Sequence, residues 1–159
     1  MPGAAELYLR LAPAVLGYLR AQRAPEPEDL LGEVFLQVAR DLSRFQGDDD
    51  ALRRWVFTIA HHRLVDDGRR RRVRPRLAGS EPADVPDPAT LEGPGSPDPA
   101  LRAALGALTA EQREVVDLRF VADLSLEDVA AVTGRSVHAV KALQQRALAN
   151  LRRAVSQPA

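Results

Sequence analysis

The last part of the chain carries side chains that are suited to binding nucleic acid. The stretch RSVHAVKALQQRALANLRRAV, residues 135–155, contains five cations and no carboxylate, although the whole chain has 22 cationic and 22 acidic side chains. Arginine can contact guanine bidentately, glutamine can read adenine, and both arginine and lysine can neutralise phosphates. Helical spacing puts the candidate contacts along one side of a single helix; they are Arg135, His138, Lys141, Gln145 and Arg146. We expect this helix to lie in a DNA major groove.

The segment before this helix has the layout of a helix-turn-helix. Ala130 is small where two helices would approach closely, Gly134 suits the turn, and Val140 would fill the core. The positions expected to face inward along the last helix are Val137, Val140, Leu143 or Gln144, Leu148 and Leu151. A helical hairpin with a solvated basic face remains the simpler alternative.

A second group of candidates lies near the middle of the chain. Six arginines fall within the eight residues from Arg69 to Arg76, and the helix before them carries Trp55, Phe57, His61 and His62. Aromatic and basic residues interleaved in this way suit stacking on unpaired bases, with the phosphates held alongside. Core packing is the simpler interpretation for Trp55, and cations near a helix C-terminus are also favoured by the helix dipole.

The sequence offers no constellation for catalysis or for metal binding. The chain has no cysteine, and the adjacent His61 and His62 point about 100° apart on a helix, with no carboxylate at a recognised metal-binding spacing. The acidic run from Asp48 to Asp50 has the character of a loop. We therefore expect no metal, no cofactor and no enzymatic activity.

Apolar spacing predicts an all-α protein. Three helices in the first half repeat apolar residues every three or four positions, and the third should run from about Ala51 into the arginines. In the second half, Thr109 with Gln112 predicts a capping box, Ser125 with Asp128 predicts another, and Ser136 is expected to cap the last helix.

Composition divides the chain into two small helical domains joined by a flexible linker. Residues 75–100 contain seven of the twelve prolines, with one cation against five carboxylates, whereas residues 1–74 and 101–159 each carry a small positive excess. The start of the chain does not have the pattern of a signal peptide, and no apolar run reaches the ~20 residues of a membrane span. We expect a cytoplasmic protein without membrane insertion.

The order of these features resembles the extracytoplasmic-function (ECF) sigma factors, small members of the bacterial sigma-70 family. The resemblance implies that residues 1–74 are region 2, a domain of three to four helices that binds the β′ clamp helices of core RNA polymerase and captures the −10 strand. It implies that residues 101–159 are region 4, a helix-turn-helix domain that binds the β flap and reads the −35 duplex. Promoter DNA and core RNA polymerase are the partners implied, and an anti-sigma factor is expected as well.

The resemblance also assigns residues. The family's core-binding pattern DxxxExF is matched by Asp29, Glu33 and Phe35. The candidates for −10 binding are Phe45, Trp55, His61, His62, Arg69 and Arg70. Those for −35 binding are Arg135, Ser136, His138, Lys141, Gln145 and Arg146, with Lys141 and Arg146 at the family's main contact positions.

Two other functions remain open at this stage. The chain could be an autonomous helix-turn-helix regulator with an N-terminal ligand or dimerisation domain, or a degenerate sigma factor that only sequesters core polymerase. A gel shift without polymerase separates the first of these from a sigma factor, because a sigma factor with no net charge should bind free DNA weakly.

Overall fold

A computed structural model describes residues 2–73 and 99–156, and within these ranges it contains helices and no strand. The all-α prediction is therefore confirmed. The predicted linker lies outside the described residues, except for Pro99 and Ala100, which begin a helix. The α-helices are α1 (Ala4–Ala21), α2 (Pro27–Asp41), α3 (Asp49–Val73), α4 (Pro99–Gly106), α5 (Ala110–Val116), α6 (Leu126–Thr133) and α7 (Val137–Ser156).

Helices α1, α2 and α3 form an N-terminal bundle. Their apolar residues recur at helical spacing, so each helix presents one apolar stripe to the other two. The core contains Tyr18, whose ring packs edge-on against Phe57 at a centroid distance of 5.9 Å, together with fully buried valines such as Val34 and Val56. Pro27 is in the first turn of α2, where its missing N–H leaves no hydrogen bond unmade.

Helices α4 to α7 form a C-terminal bundle whose boundaries follow the predicted caps. Thr109 and Gln112 make the reciprocal capping box at the start of α5. The Ser125 hydroxyl accepts the Asp128 N–H at 3.0 Å, and the Ser136 hydroxyl accepts the N–H of Ala139 at the same distance. Gly134 has φ = 74°, a left-handed conformation that suits glycine, so it ends α6 and sets the turn into α7.

Two features of the C-terminal bundle differ from the predictions or were not foreseen. Residues 117–121 form a π-helical turn after α5, which no sequence signal indicated. Val137 was predicted to face inward, but this is wrong, because 40% of its surface is exposed. It is the first residue of α7, whereas Val140 and Ala147, further along the helix, are fully buried.

The two bundles pack against each other. Helix α3 lies along α6, while α1 contacts α5 and the π-helical turn. The buried side chains form one continuous cluster that includes Val15 and Val56 from the N-terminal bundle and Val115 and Val129 from the C-terminal bundle. As a consequence, one side of α3 is covered by the C-terminal bundle.

Candidate nucleic-acid interface

Helix α7 presents the predicted −35 side chains to solvent. His138, Lys141, Gln145 and Arg146 are all exposed. Ser136 is exposed too, and its hydroxyl is used as the cap of the helix. Since Val140 and Ala147 anchor the opposite side of α7 in the core, the polar side has the orientation that a groove-reading helix requires.

Arg135 differs from the other −35 candidates. It is half-buried just before the start of α7, and its Nε is enclosed without a hydrogen-bond partner among the described residues. Together with Arg69, Arg72 and Glu114 it lines a cleft of about 480 Å³ between the two bundles. In this arrangement Arg135 faces the neighbouring bundle more than it faces the open side of α7.

Phe45 and Trp55, two of the predicted −10 residues, are brought together as a stacked pair. Their rings lie 5.1 Å apart between centroids with an interplanar angle of 27°. Both rings are partly buried and pack against the core cluster. Trp55 therefore packs against the core while its ring stays partly open, and its role in binding unpaired bases stays a prediction.

The Phe45–Trp55 stack depends on Gly47. This residue has φ = +153°, and a Cβ built on it would lie 2.9 Å from the Cβ of Ala51 and 3.0 Å from Cζ of Phe45. Any larger residue would therefore have to displace the aromatic ring or the start of α3.

Gly47→Ala is expected to destabilise the protein by about 1–3 kcal/mol, because it combines backbone strain with this overlap. The measurement is chemical denaturation followed by circular dichroism. The matched control is Gly32→Ala on α2, where a Cβ meets nothing within 4 Å, and where alanine should stabilise the helix by about 0.5–1 kcal/mol. The same sign of effect from both variants would contradict the role assigned to Gly47.

The remaining −10 candidates lie on two different sides of α3. His62, Arg69 and Arg70 are exposed, and His62 lines a second cleft of about 450 Å³ with Arg69 and the turn at Gly134. His61, in contrast, points into the contact between the bundles. His61 thus contacts the C-terminal bundle, although it also lines both clefts.

His61 belongs to a hydrogen-bonded group that joins the bundles. The hydroxyl of Tyr18 donates to Oε2 of Glu114 at 2.9 Å. The Nδ1 of His61 lies 3.2 Å from the Tyr18 oxygen and 3.3 Å from the same Glu114 oxygen. Because Tyr18 gives its only proton to Glu114, both contacts of His61 require a proton on Nδ1.

The pKa values in this group are set by burial and by the partners. Burial alone would raise the pKa of Glu114, but the hydrogen bond and charge of His61, followed by the contributions of Tyr18 and Arg135, lower it. Burial, followed by the charge of Glu114, raises the pKa of Tyr18 well above its usual value. Glu114 is therefore ionised and Tyr18 keeps its proton.

The pKa of Asp117, one helical turn after Glu114, is not lowered by any hydrogen bond or cation. The residue is buried, and its Oδ2 has no hydrogen-bond partner among the described residues. Burial, followed by the charge of Glu114, raises the pKa of Asp117 to about 7. Near neutral pH, Asp117 is therefore close to the midpoint of its titration.

The predicted polymerase-binding residues lie on α2. Asp29 is exposed and Glu33 is half-buried, so the carboxylates of both are accessible. Phe35 is only 9% exposed and packs edge-on against Tyr8 at 5.0 Å between centroids. The large apolar side chain that α2 exposes is the next one, Leu36, which is 65% exposed.

Sequence reasoning did not identify the residues that join the bundles. Tyr18 and Glu114 are 96 positions apart, so no local pattern could have paired them. Arg53 and Arg54, which also contact the C-terminal bundle, were not among the candidates. In the described residues, no group of three potential metal ligands occurs, and no helix is long and apolar enough to cross a membrane.

The fold defines a class of protein: a helical bundle with a stacked aromatic pair, followed by a helix-turn-helix bundle. Comparison with known families agrees with this, because residues 7–74 match Sigma-70 region 2 and residues 104–153 match Sigma-70, region 4. A free-standing helix-turn-helix regulator is not favoured, since the N-terminal half has its own match within the sigma-70 proteins.

Individual relatives narrow the assignment. The chain is 31% identical over 136 residues to the ECF RNA polymerase sigma factor SigX of Bacillus subtilis, covering 80% of this chain and 70% of SigX. It is 32% identical over 142 residues to the ECF RNA polymerase sigma factor BldN of Streptomyces coelicolor, where 86% of this chain spans only 53% of BldN. The chain belongs to the ECF sigma factors.

A solved structure supports the fold. The sigma factor RpoE in complex with the anti-sigma factor NepR from Bartonella quintana matches with a TM-score of 0.72 at 23% identity, covering 98% of each chain. Both bundles are therefore found together in an experimentally determined structure of the same fold.

Proposed function

We propose that this chain binds core RNA polymerase and directs it to promoters with two elements. Residues 1–74 would act as region 2, which contacts the polymerase and the −10 strand, and residues 101–159 as region 4, which reads the −35 duplex. Residues 75–100 would be the tether between them. The polymerase supplies the chemistry, so the chain itself is not an enzyme, and it works in the cytoplasm where the polymerase is found.

The observation that carries this proposal is the α7 surface. Four predicted −35 side chains are exposed on a helix that has no carboxylate and that follows a left-handed glycine turn. Such a surface suits duplex DNA, because the side chains can donate to base edges while the cations neutralise phosphates. The match to region 4 over residues 104–153 supports the same role.

The N-terminal bundle supports the second part of the proposal. The stacked rings of Phe45 and Trp55 lie on the same bundle as the exposed His62, Arg69 and Arg70. Aromatic rings beside cations suit unpaired bases and their phosphates. Joining two weak DNA contacts on one polymerase converts the second into an intramolecular event, which raises the effective affinity without strong binding by either bundle.

Two protein partners belong to the proposal. Asp29 and Glu33 on α2 would contact the β′ clamp helices, and the buried Phe35 would hold that helix in place. The C-terminal bundle would contact the β flap. An anti-sigma factor is a further proposed partner, since the structurally similar RpoE was solved with its anti-sigma factor NepR.

The test is run-off transcription with purified core polymerase, compared with a gel shift of the free chain. Transcription should depend on this chain, whereas the free chain should bind duplex promoter DNA weakly. Strong promoter binding without polymerase, and no stimulation with it, would favour an autonomous regulator. Polymerase binding without stimulation at any promoter would favour a sequestering protein.

Glu33→Arg is expected to weaken association with core polymerase about tenfold or more, because it reverses the charge at a proposed contact. The measurement is fluorescence anisotropy of the labelled chain titrated with core polymerase. The matched control is Glu6→Arg, the same charge reversal at an exposed position of α1. Equal losses for both variants, with intact circular dichroism, would move the polymerase contact away from α2.

A further inference from the structure

The large apolar side chain that α2 exposes is Leu36, and not the preceding Phe35. Leu36 is 65% exposed, whereas Phe35 is 9% exposed and packs edge-on against Tyr8. Successive side chains of an α-helix are about 100° apart around its axis, so these two residues serve different surfaces. Phe35 belongs to the core of the N-terminal bundle, and Leu36 is the side chain that α2 offers to a partner.

Small residues flank Leu36 on the same side of α2. Gly32 precedes it by four positions and Ala39 follows it by three, so both lie within about 60° of Leu36 around the helix axis. Both are exposed, and a Cβ built on Gly32 meets nothing within 4 Å. Leu36 therefore protrudes from this side of α2, and a partner helix can approach the backbone closely before and after it.

The same side of α2 carries charges whose sign changes along the helix. Asp29 and Glu33 precede Leu36, and Arg40 follows it, all within about 60° of Leu36 around the axis. None of the three charged residues forms an ion pair with another described residue. These charges are therefore available to a partner, and their order determines the order of charges that the partner should carry.

The position of Leu36 within this surface is the observation that calls for a partner. The helix dipole by itself favours acidic residues near the start of a helix and basic residues near its end. A leucine gains nothing from the dipole, and although single exposed leucines are common, this one lies at the centre of small residues and unpaired charges. Transfer of its exposed part from water to an apolar contact strengthens binding by about fivefold to thirtyfold.

We propose that Leu36 is the apolar anchor of the contact with core RNA polymerase. Two paired helices form holes between their side chains, each of which accepts one protruding apolar side chain, and Leu36 inserts into such a hole on the β′ clamp helices. Cations of the clamp then face Asp29 and Glu33, and an anion of the clamp faces Arg40. The inference rests on the proposed binding of core polymerase, and it adds the anchoring residue and the direction in which the clamp helices cross α2.

Leu36→Gln is expected to weaken association with core polymerase about fivefold to thirtyfold, because it removes the apolar contact without changing charge. The measurement is fluorescence anisotropy of the labelled chain titrated with core polymerase. Leu36→Met keeps an apolar side chain of similar volume and should lose less affinity than Leu36→Gln. The matched control is Leu9→Gln, at a leucine of α1 that is 77% exposed. Equal affinities for Leu36→Gln and Leu9→Gln would overturn the proposal.

A second comparison separates the contact from the folding of α2. Phe35→Leu should lower the free energy of unfolding, because it leaves a cavity in the core, whereas Leu36→Gln should not, because its side chain is exposed. The measurement is chemical denaturation followed by circular dichroism, made on the same samples as the titrations. A larger loss of affinity from folded Phe35→Leu than from Leu36→Gln would return the contact to Phe35 and overturn the proposal.

The order of charges is tested with a pair of reversals. Glu33→Arg combined with Arg40→Glu keeps the net charge of the chain but inverts the order of charges around Leu36. If the clamp helices cross α2 in one direction only, the double variant should bind more weakly than either single reversal, because both charge contacts become repulsive. Recovery of the unaltered affinity in the double variant would show that only net charge matters and would overturn the proposed direction.

The position of the anchor is mapped in the assembled holoenzyme. A benzophenone amino acid at position 36 should crosslink to β′ on illumination, and the same amino acid at position 9 should not. A crosslink from position 36 to a different subunit would overturn the proposal.

Failure of this inference is distinguishable from failure of the proposed function. If the unaltered chain binds core polymerase and supports transcription while Leu36→Gln binds equally well, Leu36 is not the anchor and the sigma function stands. If the unaltered chain does not bind core polymerase, the sigma function itself fails, and the anchor fails with it.

Discussion

Arg146→Ala is expected to weaken −35 binding by the holoenzyme about fivefold to 150-fold and to relax the preference for one base. Arg146 is exposed on α7, one position after Gln145 and five after Lys141, where its planar guanidinium can donate to two acceptors of guanine. Such a bidentate contact contributes about 1–3 kcal/mol of discrimination. The measurement is holoenzyme binding to a set of duplexes that carry each single-base substitution in the −35 element.

Two further variants separate base reading from simple charge. Arg152→Ala removes the same charge from an exposed position of α7, but that position lies about 9 Å further along the helix axis than Arg146, beyond the −35 candidates, so its effect should be smaller. Lys141→Ala should weaken all duplexes about equally and lower the salt dependence by about one phosphate. No loss from either Arg146→Ala or Lys141→Ala would leave the α7 surface as a solvated face.

Asp117→Asn is expected to stabilise the protein more at pH 8 than at pH 5. The change that it makes in the free energy of unfolding should be about 2 kcal/mol more favourable at pH 8. The pKa of Asp117 is raised from 3.8 to about 7 by burial and then by the charge of Glu114. Because the carboxyl pKa is higher in the folded than in the unfolded protein, Asp117 contributes its full stabilisation when the pH is below the unfolded pKa. This stabilisation is lost as the pH rises through about 7. Asparagine does not titrate, so the variant escapes the loss.

The measurement is the free energy of unfolding from chemical denaturation at several pH values, followed by circular dichroism. The control is Glu111→Gln, which makes the same kind of change at an exposed carboxylate on α5. Comparing each variant with the unaltered chain at the same pH cancels most of the contribution of the other titrating groups. A parallel pH dependence for Asp117→Asn and the unaltered chain would show that Asp117 is ionised without cost.

Local signals made much of the fold predictable. The caps at Thr109, Ser125 and Ser136 are contacts between residues three positions apart, so the sequence alone contains both partners. The conformation of Gly134 was predictable from its residue type, because few other residues tolerate φ = 74° at a helix end. The exposed side of α7 followed from the same helical spacing.

The unpredicted parts depend on contacts between distant segments. The group formed by Tyr18, His61 and Glu114 joins three helices, and the spacing of the chain does not indicate which polar residues will meet. For the same reason the contacts of His61 with Tyr18 and Glu114 were not foreseen, and its assignment to nucleic acid stays a prediction. The π-helical turn that begins at Asp117 was likewise not indicated by any local signal in the sequence.

The Phe45–Trp55 stack also gives the molecule a built-in optical probe. Trp55 is the single tryptophan among the 159 residues, so light emitted on indole excitation comes from this one position. The ring is partly open on a surface proposed to receive unpaired bases, and it is held by Phe45 at 5.1 Å. A base that stacks there would quench that emission through direct ring contact. Strand capture can therefore be followed in real time on the unlabelled chain, within the intact holoenzyme as long as the polymerase emission is subtracted.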